Sequence, residues 1–233
     1  MAKLYWRYGV MGSGKSAQVA IVAHNYRQVG QPTLLIKPRL DSRSAAIASR
    51  IGQLAVDADV ICDPGDDLYQ VIETRRRGVS TGGSGPDVAT VPSSLPATDG
   101  SRLAAVIVDE AQFLTAAQID QLFLVAVELD VPVLCYGLRA DYRGDLWPAT
   151  ARLFALAHDI CELKMVCHCG RKAMFTHRLP GADTGELVVM GGSEAYDALC
   201  AEHFLAEAIY HHSLSDALAT EGLPKGTSVA ADS

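Results

Sequence analysis

Short apolar runs alternate along the chain with longer stretches of helical spacing. Residues 4–8 read as a strand leading into a glycine-rich turn at 9–16, and residues 16–27 read as a helix. A second strand covers 33–36 and a weak third covers 60–62. Residues 103–108 form a continuous apolar run, as in a strand buried on both faces, and end at Asp109-Glu110. Helical spacing returns over 116–129, and a further strand follows at 131–136. This alternation predicts an α/β fold, a parallel sheet with helices on both faces.

The pattern breaks twice. Residues 78–101 are rich in Gly, Ser, Pro and Thr and have little periodicity, so a disordered surface insertion is expected there. From Cys167 onward the alternation stops, and short segments lie between Cys-rich ends. The expected organisation is an α/β domain over 1–163, a small lobe over 164–212 that is too poor in apolar residues to stand alone, and a flexible tail over 213–233.

Composition narrows the partners. With 49% hydrophobic and 20% charged residues, the chain of 233 can bury a real core. A net charge of −7 argues against a protein that grips nucleic acid by bulk electrostatics, although a local positive site can still take a small anion. No run of about 18 apolar residues appears, so no membrane span is expected. A glycine-rich motif begins at Gly9, where the apolar core of a signal peptide would lie. The chain is therefore read as cytoplasmic, and its six cysteines are not expected to form a disulfide framework.

The residues from Gly9 through Val10, Met11, Gly12, Ser13, Gly14 and Lys15 to Ser16 match G-x-x-x-x-G-K-[ST] in full. Glycines let successive backbone N–H groups turn inward around phosphates. Lys15 reaches the terminal phosphates as a point charge, the Ser16 hydroxyl suits Mg²⁺, and the helix that follows points its positive end at the anion. Asp109-Glu110-Ala111-Gln112 follows the apolar run at 103–108, the place of a Walker B carboxylate beside such a loop. Asp109 there orients the Mg²⁺ shell, and Glu110 can take a proton from an attacking hydroxyl or water. The motif fixes nucleotide binding and leaves the reaction open.

Cys167-His168-Cys169 and Cys200-Ala201-Glu202-His203 look like two halves of a zinc site that would staple the small lobe, with His168 competing as a ligand. Cys62, Cys135 and Cys161 lie on apolar segments and read as small hydrophobes. Residues 136–142 form a loop at the carboxyl end of a strand, where ligands bind in open α/β sheets. Leu138, Tyr142 and Trp147 there suit the walls of a pocket for a flat base. Taken alone these features leave open a non-catalytic zinc-stapled nucleotide sensor and a strand-dependent ATPase of the RecA or helicase kind. A single unit and a negative charge weigh against the second.

Taken in order and spacing, these marks resemble the type II thymidine kinases, a family of cytosolic vertebrate and many bacterial enzymes. The resemblance runs from Lys3 to about Phe204, apart from the insertion. It adds Lys37-Pro38 with Asp41-Ser42-Arg43, Ser49-Arg50-Ile51-Gly52, Phe113 after the acidic motif, and Gly191-Gly192 with Tyr196. It implies a RecA-like domain and a zinc lobe carrying a lasso loop over the nucleoside. By similarity Glu110 is the general base, Ser16 and Asp109 serve Mg²⁺, Arg43 neutralises phosphate charge, and the P-loop with residues 109–112 holds ATP. Met11, Leu138, Tyr142, Trp147 and Thr176 would line the thymine pocket. Leu187, Val188, Val189, Met190 and Gly191 would hold the base through backbone groups, with Tyr196 near the nucleoside. Zinc would sit on Cys167, Cys169, Cys200 and His203. The resemblance further implies transfer from ATP to the 5′-hydroxyl of thymidine for DNA synthesis, a homotetramer and feedback inhibition by thymidine triphosphate. Gly12 and Trp147 stand where the family usually has Phe, Leu114 where an aromatic is common, and Ala201 where Arg is usual. None of these removes a group expected to act in catalysis.

Overall fold

The computed structural model describes residues 1–41, 46–48, 55–77, 103–179 and 195–207. Arg43, Leu187, Val188, Val189, Met190 and Gly191 lie outside the described residues, as do the insertion at 78–101 and the tail at 213–233. In chain order the elements are β1 (Leu4–Gly9), α1 (Lys15–Gln28), β2 (Thr33–Pro38), β3 (Ala46–Ala48), β4 (Ala55–Asp57), β5 (Val60–Cys62) and α2 (Leu68–Arg76). Then come β6 (Ala105–Val108), α3 (Ala116–Glu128), β7 (Val133–Leu138), α4 (Pro148–Leu156) and β8 (Asp159–Glu162). The lobe carries β9 (Met165–Val166), β10 (Lys172–Ala173), β11 (Phe175–Arg178), β12 (Tyr196–Leu199) and α5 (Ala201–Glu207).

Six strands form one sheet in the order β5-β2-β6-β7-β1-β8, and every pairing in it is parallel. Alternate side chains of each strand point to opposite faces, and here both faces are apolar. Leu34, Ile36, Val106, Val108, Trp6 and Cys135 join one core with α2, α3 and α4. Leu35, Ile107 and Tyr136 join a second core with Val19, Ala20 and Ala23 of α1. Helices therefore cover both faces, as the apolar runs require.

Three pieces were not expected: the β3–β4 pair and the helices α2 and α4. The β3–β4 hairpin is antiparallel and packs Ile47 and Val56 onto the α1 side of the sheet. The helices α2 and α4 complete the other side. The capping box of Thr115 and Gln118 starts α3, and the Gln118 amide also donates to the carbonyls of Asp63 and Asp66, which ties α3 to the loop before α2. Among the described residues no helix is long and apolar enough to cross a membrane.

Candidate active site and metal centre

β1 delivers the glycine-rich loop to the carboxyl edge of the sheet. Gly12 and Gly14 take positive φ, 77° and 82°, which lets the backbone curl before α1. The N-terminus of α1 has no side-chain cap and no acid in its first turn. Its first N–H groups thus remain available to an anion, favoured by the helix dipole. Lys15 is buried, and its Nζ donates to the Val10 carbonyl at 2.8 Å and lies 3.4 Å from the Ser13 Oγ. Burial pulls the Lys15 pKa down, while the charges of Glu110 and Asp109 oppose that shift. Ser16 is half-buried on the first turn of the same helix.

β7 separates β1 from β6 in the sheet, so the acidic motif reaches the same edge one strand away. Asp109 is buried; its amide donates to the Ile36 carbonyl at 3.1 Å, and its Oδ1 accepts from the Glu110 amide at 3.1 Å. A carboxylate and a hydroxyl are hard oxygen donors, so Asp109 and Ser16 fit a Mg²⁺ shell in kind. Glu110 adopts φ 51°, ψ 41°, a left-handed conformation that costs a non-glycine residue about 1–3 kcal/mol. Its Oε2 accepts from the Gln112 Nε2 at 2.6 Å. Ala111 and Gln112 are both buried, and the Gln112 Oε1 accepts from the Leu138 amide at 3.0 Å.

The loop after β7 turns at Asp141, whose Oδ1 accepts from the amides of Arg143 and Asp145. The Arg178 guanidinium lies 3.7 Å from the centroid of the Tyr142 ring, and its Nη2 donates to the Tyr196 hydroxyl at 3.4 Å. Trp147 meets Phe113 edge to face at 5.3 Å, next to the acidic motif. Thr176 is buried, and its Oγ1 accepts from the Met11 amide at 3.3 Å. A crevice opens between Gly9 and Val10 of the glycine-rich loop, Ala140 and Asp141 after β7, and Phe175 and Thr176 of β11. The structure thus draws Met11, Leu138, Tyr142, Thr176 and Tyr196 to one end of the sheet. Sequence reading missed Arg178, which carries no motif and meets Tyr142 only through the fold.

In the lobe, Cys167 and Cys169 lie in the turn between β9 and β10, closed by the bond from the Gly170 amide to the Cys167 carbonyl. Cys200 directly follows β12, and His203 stands three residues on, where one helical turn brings it back to the same side. The Cys169 and Cys200 sulfurs are 3.8 Å apart, and the His203 Nδ1 lies 3.4 Å from the Cys167 Sγ and 3.3 Å from the Cys200 Sγ. A tetrahedral zinc with ordinary bond lengths needs about 3.8 Å between sulfurs and about 3.5 Å between sulfur and nitrogen. All four donor atoms fall within 4.8 Å of one another, so the group fits a single metal ion such as zinc. Burial pushes the Cys167 thiol up, but hydrogen bonds from the Cys169 and Cys200 backbone and from His203 outweigh it and bring the pKa down to about 6. His168 packs its ring 4.2 Å from that of His203 and stays outside the set of four. Val10 of the glycine-rich loop is buried in the same cluster as Cys167, Leu199, Cys200 and Phe204.

Comparison with known proteins agrees with this layout. A family model described as thymidine kinase matches residues 65–204. A thymidine kinase of Ruegeria pomeroyi is 40% identical over 210 residues, which span 88% of this chain and 94% of that protein. One of Shewanella oneidensis is 37% identical, with 88% and 97% covered, and one of Rhodopirellula baltica is 38% identical, with 91% and 92% covered. Matches of this extent, to a chain whose P-loop, acid pair and Cys₃His cluster share one fold, show that it belongs to the thymidine kinase family.

Proposed function

We propose that this chain transfers the γ-phosphoryl group of ATP to the 5′-hydroxyl of thymidine, giving thymidine 5′-monophosphate and ADP for DNA synthesis. The observation that carries the reading is the meeting of Lys15 with Asp109 and Glu110. A buried P-loop cation feels two consecutive acids at the carboxyl edge of one parallel sheet. Lys15, the loop amides and the start of α1 hold the phosphates, and Arg43 adds positive charge. Bound Mg²⁺, held by Ser16 and Asp109, would neutralise phosphate charge. The Glu110 carboxylate takes the proton of the 5′-hydroxyl while that oxygen bonds to the γ-phosphorus, and the bond to the β-phosphate oxygen breaks to release ADP.

On the nucleoside side, Met11, Leu138, Tyr142, Trp147 and Tyr196 wall the thymine. The Thr176 hydroxyl accepts from Met11 and still has its own proton to donate. Residues 187–191 offer backbone groups to the pairing edge of the base, because their side chains bring no polar group there. Residues 1–163 form the nucleotide-binding domain, and 164–212 the lobe that zinc staples. A cytoplasmic homotetramer inhibited by thymidine triphosphate follows from the family resemblance.

The test is turnover of ATP and Mg²⁺ with a panel of nucleosides, with products read by mass. Thymidine and deoxyuridine are phosphorylated well. Deoxycytidine is phosphorylated poorly, because its amino group leaves a buried backbone donor unmet at a cost of about 1–3 kcal/mol. Absence of any nucleoside monophosphate rejects the kinase reading; efficient use of deoxycytidine rejects only the backbone readout.

A further inference from the structure

Gln112 sits between the acidic motif and the loop that would meet the nucleoside. It is almost wholly buried, at 1% exposure, so its amide is not placed to meet solvent or a freely diffusing ligand. Both ends of that amide are engaged. The Nε2 donates to the Glu110 Oε2 at 2.6 Å, and the Oε1 accepts from the Leu138 amide at 3.0 Å. Leu138 is the last residue of β7, and the Thr150 hydroxyl donates to its carbonyl at 3.1 Å. One rigid side chain therefore spans from the end of β6 to the end of β7.

Two further features show that the fold is built around this bridge. Glu110 is held in a left-handed backbone conformation, which persists only where its surroundings over-determine it. Gly137 leaves room for the amide: a Cβ there would lie 2.5 Å from the Gln112 Oε1, 3.0 Å from the Trp6 ring and 3.1 Å from the Gln112 backbone nitrogen. At 2.5 Å something must move, and the atom met there is the Gln112 amide oxygen.

We propose that Gln112 is a positioning residue for phosphoryl transfer: it fixes the Glu110 carboxylate against the end of β7, so that base and nucleoside pocket share one frame. The proposal rests on the kinase reading above, with Glu110 as base. It makes Gln112 a group that acts through Glu110 rather than on ATP. Misplacing a reacting group by about 1 Å can cost about 100-fold in rate.

The experiment compares wild type with Gln112→Leu, Gln112→Glu and Gly137→Ala, each first checked for its melting temperature and for binding of ADP. Gln112→Leu removes both arms of the bridge. Gln112→Glu keeps an acceptor for the Leu138 amide and places a second carboxylate against Glu110. Gly137→Ala crowds the Gln112 amide and the Trp6 ring without changing the chemistry of either. Expected are an ADP affinity and an ATP KM within about twofold of wild type, and a kcat lower by about 10- to 100-fold in Gln112→Leu. The kcat falls in Gln112→Glu as well, because a second carboxylate repels that of Glu110 and moves it out of place. Gly137→Ala shifts kcat in the same direction.

Unchanged kcat in folded Gln112→Leu and Gln112→Glu overturns the proposal. So does a loss of ADP affinity as large as the loss of kcat, which marks general damage. If Gln112→Leu does not fold, Gln112→Glu, which preserves size and the Leu138 bond, decides between these results, with Gly137→Ala as its check. If wild type itself makes no thymidine monophosphate, the kinase reading fails and this proposal falls with it. A wild type that works beside unaffected variants rejects the role of Gln112 alone.

Discussion

The amide of Met11, inside the glycine-rich loop, donates to the hydroxyl of Thr176 on β11 of the lobe at 3.3 Å. The contact is reinforced by Val10, which is buried with Cys167, Leu199, Cys200 and Phe204. The lobe is thus part of the packing that holds the phosphate loop. Its own core is small, and two of the four candidate metal ligands, Cys167 and Cys200, are buried in it.

Zinc removal should consequently reach the P-loop. The purified chain is expected to carry about one zinc per molecule. Cys200→Ser should lose it and bind ADP more weakly, since Val10 and Met11 lose their partners on the lobe. Metal analysis and ADP titration on the same sample test this. Full zinc content in Cys200→Ser contradicts the ligand set, and a zinc-free variant with wild-type ADP affinity contradicts the coupling.

Arg178 should matter to thymidine and not to ATP. Its guanidinium is buried and lies 3.7 Å from the Tyr142 ring centroid, so it fixes one proposed wall of the base pocket. A cation–π contact of this kind contributes about 0.5–2 kcal/mol, or about 2- to 30-fold in an equilibrium constant. Arg178→Leu is expected to raise the thymidine KM within that range and leave the ATP KM unchanged. Arg178→Lys should recover only part of the loss, because the planar stacking is gone. Steady-state kinetics with each substrate varied in turn settles it, and an equal rise in both KM values goes against the assignment.

Thr115→Ala should affect stability and leave the site alone. The Thr115 Oγ1 accepts from the Gln118 backbone N–H, and the Gln118 Oε1 accepts from the Thr115 backbone N–H. Loss of such a cap costs about 0.5–2 kcal/mol. The urea midpoint should fall accordingly while both KM values hold. No change in the midpoint would show that the cap is dispensable.

What could be read from the sequence, and what could not, follows from range. The glycine-rich loop, the acid pair and the two halves of the metal site are local motifs, and each sits where its spacing placed it. The buried strands β2 and β6 were legible because both faces of the sheet demand apolar residues. The helix α2 was not, since it commits only Leu68 and Ile72 to the core. The hairpin of β3 and β4 has three residues per strand, too few for an alternation to register. Gln112 and Leu138 are 26 residues apart, and Tyr142 and Arg178 meet only because the lobe folds back over β7. No spacing rule reports contacts of that kind. Gln112 was expected among the ATP-binding residues; in the structure its side-chain amide is bonded to Glu110 and Leu138.

The role given to Glu110 predicts a loss confined to the chemical step. Glu110→Gln keeps size and hydrogen bonding but cannot accept the proton, so turnover should fall by about 10²–10⁴-fold. ATP affinity should change little, because Lys15 and the loop are intact. Turnover within a few-fold of wild type would assign Glu110 to positioning and not to proton transfer.

The most direct test of the central claim is ADP formation from ATP and Mg²⁺ by the purified chain alone, with thymidine, and with single-stranded DNA. The account predicts that thymidine drives ADP formation, that thymidine 5′-monophosphate appears in equal amount, and that the strand has no effect. Stimulation by the strand would make this a nucleic-acid-dependent ATPase. ADP formation that responds to neither would leave a nucleotide-binding protein without the transfer, and either result contradicts the account.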